Sequence, residues 1–217
     1  RLSLAQYYLD QGNPDRAKSQ LQVIATAPNR PDEGARALYL LGRTEQNEGD
    51  LRAALPYFKQ VYTRYPDADV APAALYARGV TQVRLEEYDR ATASFERLGE
   101  RFPDSPFAEN VGTILGEVYY RLDQYENAAT ELQRRLSGLT GDERARTLFL
   151  LGETYSALGR RDDAATQYRL ILEELPDSPY STPARYGLAW QHYGAGRHEA
   201  AAEAFATVRT TDGPLAP

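Results

Sequence analysis

The chain has 217 residues, a net charge of −6, and no cysteine. The absence of cysteine excludes disulfides, thiol catalysis and thiolate metal sites, and an acidic surface disfavours contact with phosphate backbones. Mean hydropathy is −0.60 and no apolar run approaches the ~20 residues needed to span a bilayer, so neither nucleic-acid binding nor membrane insertion by this segment is expected. The sequence opens at Arg1 and holds no methionine, which reads as a processed or excised piece with room for a removed targeting segment.

Read in chain order, one pattern recurs. An alanine is followed four residues later by an aromatic residue or leucine: Ala17/Leu21, Ala54/Phe58, Ala91/Phe95, Ala128/Leu132, Ala164/Tyr168 and Ala201/Phe205. The alanines stand 37, 37, 37, 36 and 37 residues apart, and ahead of them in register lie Ala5, Gly42, Gly79, Gly116, Gly152 and Ala189. This period divides a single domain, 1–210, into repeats at about 1–34, 35–71, 72–108, 109–144, 145–181 and 182–210, followed by a tail or linker, 211–217.

Each repeat reads as two helices, A and B. The first starts part-way through helix A. The second carries Pro56 inside helix B, where the missing N–H bends or weakens the helix. The fourth is one residue short, lacks a closing proline and reads "SGLTGDE", with Gly138 at a helix C-terminus. The fifth shows the pattern best. Leu148, Leu151, Gly152 and Tyr155 share one helical face, "GR" at 159–160 turns the chain, and Ala164, Tyr168, Ile171, Leu172 and Leu175 share the next face. Between repeats the phrases "RYPDADVAPA", "RFPDSPFAEN" and "ELPDSPYSTP" recur. Proline ends helix B, Asp and Ser cap the next helix A, and a second proline fits its first turn. Small residues in helix A let helix B approach closely, and the faces are buried only when repeats stack.

Catalytic signals are weak. His192 and His198 have neither a cysteine nor a third histidine as companion, so no metal site is expected. The pairs at 86–87, 162–163 and 173–174 read as solvated turn charges, and "GAG" at 194–196 lacks the strand and the Lys-Ser/Thr of a phosphate loop.

The pattern resembles the tetratricopeptide repeat (TPR) over essentially the whole chain. Its marks are Leu151-Gly152, Tyr155, Gly159, Ala164, Tyr168 and Pro176 in the fifth repeat. The fourth has Leu115-Gly116, Tyr119, Tyr125 and Ala128, and the third Gly79, Tyr88, Ala91, Phe95 and Pro103. Departures are the longer period and Glu45 where tyrosine is usual. The resemblance implies an all-α, right-handed TPR solenoid of about twelve helices. The 37-residue repeat with its Pro-Asp-Ser-Pro phrase is similar to repeats of bacterial cell-envelope TPR families, the Tol-Pal-associated periplasmic protein and the outer-membrane assembly lipoprotein.

In such solenoids helix A lines the concave groove. On this register Tyr39, Tyr76, Phe149 and Tyr186 recur at one position, and Arg43, Glu117, Glu153 and Trp190 four residues on. Tyr120 and Tyr193 follow three further, flanked by Asn47, Arg84 and Arg121. These thirteen are the candidate partner-binding residues, as aromatic anchors and arginine forks for a peptide carboxylate. Packing between repeats competes for the aromatic column, and a solvated helix face for Arg43, Asn47, Arg84 and Arg121. Trp190 is a groove anchor or packs on a helix beyond Pro217.

The expected function is a non-catalytic scaffold or adaptor for a protein or peptide partner, without cofactor. Its expected place is the periplasm or the outer membrane, with the cytoplasm as the alternative. A subunit of a polysaccharide or protein export machine and a self-associating scaffold are the rival readings.

Overall fold

The computed structural model describes residues 1–27 and 30–211, with the side chains of 109, 110 and 209–211 outside the described set. All regular structure among these residues is helical. The helices are α1 (Leu2–Asp10), α2 (Pro14–Ala25), α3 (Pro31–Glu48), α4 (Leu51–Arg64), α5 (Ala71–Arg84) and α6 (Tyr88–Arg101). They continue as α7 (Pro106–Arg121), α8 (Tyr125–Leu136), α9 (Gly141–Ala157), α10 (Arg161–Glu174), α11 (Ser181–Gly194) and α12 (His198–Thr211). The expected all-α architecture of twelve helices is therefore present. Apart from Thr211, the expected tail lies outside the described residues.

The chain forms two compact units, Arg1–Val111 and Gly112–Pro217. In the first, successive helices from α1 to α6 pack on one another, and α3 also meets α5. Its core includes Leu21, Leu38, Leu41, Phe58, Val61 and Ala74, all 4% exposed or less. In the second, α8 to α12 pack in succession and α9 also meets α11, around Leu132, Leu148, Leu151, Tyr155, Tyr168 and Ile171.

The glycine and alanine register has a direct steric cause. A Cβ on Gly42 would stand 2.6 Å from the Phe58 ring, one on Gly79 2.4 Å from Phe95, and one on Gly152 2.5 Å from Tyr168. The helix-A glycine thus receives the large residue of helix B rather than the helix-B alanine. Those alanines are buried themselves, Ala54, Ala91, Ala128 and Ala164 at 0% exposure.

The repeat boundaries follow from local chemistry. Helices α4, α6 and α10 stop two residues before Pro66, Pro103 and Pro176. Pro106 opens α7, and Ser105 Oγ accepts a bond from the Phe107 N–H at its start. Ser178 Oγ accepts from the Tyr180 N–H in the same way just ahead of α11. The serines make these bonds, while Asp104 and Asp177 are exposed. Gly138 follows the end of α8 with φ +84°, as its place in "SGLTGDE" suggests.

Candidate binding site

Helix A residues meet in different surroundings in the two units. In the first unit a cleft lies between α1 and α3. Its two adjoining parts, about 590 and 420 Å³, share Gln6, Asp10, Tyr39 and Leu40. Tyr39 is half-buried, its ring centroid 6.0 Å from that of Phe58, and its hydroxyl accepts a bond from Arg43 Nη1 at 3.3 Å. Arg43 and Asn47 line the polar part, with Asp10 and Glu48. Tyr76, one repeat on, packs on Phe95 at 6.3 Å and on Phe107 at 5.5 Å, so this ring serves the joint between its repeat and the next. Arg84 is exposed in the last turn of α5, where a cation favours the carbonyl end of the helix.

In the second unit a cleft of about 330 Å³ gathers Glu117, Tyr120, Arg121, Phe149 and Glu153, five of the thirteen candidates, with Arg146, Leu150 and Tyr180. Residues 146, 149, 150 and 153 form one face of α9 by their spacing. Arg146 Nη2 donates to Glu117 Oε2 at 2.6 Å, joining α9 to α7. Phe149 is held between Tyr168 at 6.0 Å and Tyr180 at 5.7 Å. The Tyr168 ring is fully buried between the Cα positions of Gly152 and Gly187, and its hydroxyl donates to Glu153 Oε1 at 2.6 Å. Burial, then the bond to Glu153, pushes the Tyr168 hydroxyl far above the usual tyrosine range. Burial and the Glu153 charge also raise Tyr120, whose ring meets Tyr125 edge-on at 5.5 Å. Arg121 is exposed in the last turn of α7.

The last repeat differs. Tyr186, Trp190 and Tyr193 are 50, 48 and 53% exposed. Their rings meet edge-on in sequence, and Phe205 of α12 lies 5.5 Å from Trp190 and 5.7 Å from Tyr186. Where Tyr76 and Phe149 each carry an aromatic ring from the next repeat's hinge, this trio presents its rings to solvent.

The register missed Arg146, Tyr168 and Tyr180. Arg146 was legible, because it lies seven residues before Glu153 on the same helical face. Tyr168 read only as core, and Tyr180 only as part of a hinge phrase. Gln46 and Ser156, at the register position of Tyr120, stitch adjacent A helices: Gln46 Nε2 bonds Thr81 Oγ1, and Gln191 Nε2 bonds Ser156 Oγ at 2.9 Å. Among the described residues no three His, Asp or Glu side chains converge as a metal site would need. No described helix is long and apolar enough to cross a membrane.

Comparison with known proteins bears on the family and the fold. A model of the family YfiO, outer membrane lipoprotein, matches residues 68–210, well over half of the chain, and a tetratricopeptide repeat model matches residues 2–69. No curated protein matches the sequence. Among solved structures, MamA of Desulfovibrio magneticus is 23% identical with a TM-score of 0.69, over 82% of this chain and 97% of that one. A tetratricopeptide repeat protein of Parabacteroides merdae is 18% identical with a TM-score of 0.70, over 99% and 79%. YrrB, titled a TPR protein with an unusual peptide-binding site, is 20% identical with a TM-score of 0.69, over 85% and 90%. At these identities the likeness is one of fold: the chain has the fold of TPR solenoids.

Proposed function

The chain belongs to the YfiO family, outer membrane lipoprotein, and from that premise we propose that it is a non-catalytic interaction module of the bacterial cell envelope. It binds a polypeptide segment of a partner protein along its A helices. The observation that carries this reading is the cleft between α7 and α9, where rigid aromatic walls stand beside charged groups. Side chains held this way lose little entropy on binding, and aromatic and arginine residues supply most of the energy at protein interfaces. The family's description supports the envelope setting, and the peptide-binding site named for YrrB supports a peptide ligand.

The test is site-specific photo-crosslinking in cells of the source organism. A benzophenone amino acid is placed at Tyr120, and at exposed Thr130 of α8 as the reference position. One defined adduct from Tyr120, absent from Thr130, is the expected result. Equal adducts from both positions would remove the site from the A helices. The exposed trio Tyr186, Trp190 and Tyr193 favours a second reading, self-association through the last repeat. A mass that rises with concentration in sedimentation, and falls back in Trp190→Ser, would identify it.

A further inference from the structure

The geometry points to the cleft between α7 and α9 as a seat for a basic side chain, a lysine or arginine of the bound polypeptide, with Glu153 as its carboxylate partner. This rests on the binding reading above and specifies its ligand. The sequence register alone suggested arginine forks for a carboxylate, and the seat at this cleft takes the opposite charge.

Glu153 is half-used and well held. Oε1 accepts from the Tyr168 hydroxyl, and Tyr168 is clamped by close packing on Gly152 and Gly187. Among the described residues Glu153 has no ion pair. One oxygen therefore remains to accept an N–H, and the carboxylate is already oriented. The equivalent carboxylate one repeat earlier, Glu117, shows what such a group takes here, because it holds the Arg146 guanidinium at 2.6 Å. That pairing also neutralises Arg146. Arg121 is the remaining cation of the cleft, and it is exposed in the last turn of α7, where the carbonyl end of the helix favours it.

The walls fit the same occupant. Phe149 is fixed between Tyr168 and Tyr180, and Tyr120 stands on α7. Aromatic faces attract ammonium and guanidinium groups, more strongly where water is reduced. The aliphatic stem of lysine or arginine would run along Leu150 and Phe149. The pairing of carboxylates at this register is particular to α7 and α9, since the same position is Arg43 in α3, Val80 in α5 and Trp190 in α11.

The test uses the full chain, labelled with ¹⁵N and titrated with Nα-acetyl-arginine amide and Nα-acetyl-lysine amide. The neutral citrulline and the acidic glutamate counterparts are controls. Saturable amide shifts confined to α7 and α9 around the cleft, from the basic probes only, are expected. Glu153→Gln should weaken them about three- to tenfold, with the circular dichroism of the parent. Equal shifts from citrulline, stronger shifts from glutamate, binding unchanged in Glu153→Gln, or no shift at all would overturn the seat. The crosslink from Tyr120 is read separately. A defined adduct that persists in Glu153→Gln leaves the interaction module standing and removes the basic seat. Loss of the adduct at Tyr120 with probe binding intact does the reverse.

Discussion

At the scale of single residues, the same substitution should have opposite signs at two glycines. Gly79 lies where an added Cβ would stand 2.4 Å from the Phe95 ring, whereas around Gly99 on α6 nothing lies within 4 Å. Gly79→Ala should destabilise by about 1–3 kcal/mol through overpacking, which outweighs the helix-propensity gain. Gly99→Ala keeps only that gain, about 0.5–1 kcal/mol. Urea melts of the two variants beside the parent check this, and a common sign would contradict the packing. Tyr168 carries a second expectation. Its hydroxyl titrates far above its ordinary value of 10.0, so the folded state keeps the proton where the unfolded state has lost it. The stability this contributes is present below about pH 10 and falls as the pH rises further. Tyr168→Phe should be about 1–3 kcal/mol less stable at neutral pH, from loss of a bond to a charged group. Above pH 10 its stability should fall less steeply, and parallel curves for parent and variant would exclude the effect.

At the scale of elements, the turn between helices A and B repeats its backbone rather than its residue. Gly12, Gly49, Gly159 and Gly196 have φ between +65° and +88°, and Glu86 and Asp123 take the same left-handed geometry at +59° and +57°. A side chain there is strained, less so for aspartate. Asp123 also accepts a bond from the Tyr125 hydroxyl. Glu86→Gly should therefore stabilise by about 1 kcal/mol, and Asp123→Gly by less or not at all. Thermal melts decide it, and a loss of stability in Glu86→Gly would show that the register of this turn is misread. The "EE" at 86–87 was legible as a turn from its place in the period. Its left-handed backbone was hidden, because the residue that usually announces it is missing.

At the scale of the whole molecule, the exposed large apolar side chains among the described residues belong to the first and last repeats in the sequence. Leu4 and Tyr7 are on α1, Val23 on α2, and Tyr186, Trp190 and Tyr193 on α11. Among the described residues α1 packs on α2 and α12 on α11, with no further helix packed strongly on either, so unfolding of this chain should begin there. Trp190 is the one tryptophan in the chain and makes this measurable. Its fluorescence should change at lower urea than the far-ultraviolet circular dichroism, with hydrogen exchange fastest in α1 and α12. Coincident transitions would mean that the array unfolds as one cooperative body.

The sequence determined the period, the helix pairs, the proline stops and the close-packing register, because each follows from local geometry or from spacing that repeats identically. It also placed Glu117, Tyr120, Arg121, Phe149 and Glu153 on helix A faces. Tertiary structure decided what those faces do. Tyr76 and Phe149 are shared with hinge aromatics of the next repeat, Glu117 is paired with Arg146, and Glu153 is oriented by Tyr168 from a different helix. A period reports which positions are equivalent. Whether a charge at such a position is spent or free depends on partners about 15 to 31 residues away, and those partners vary from repeat to repeat while the period stays the same.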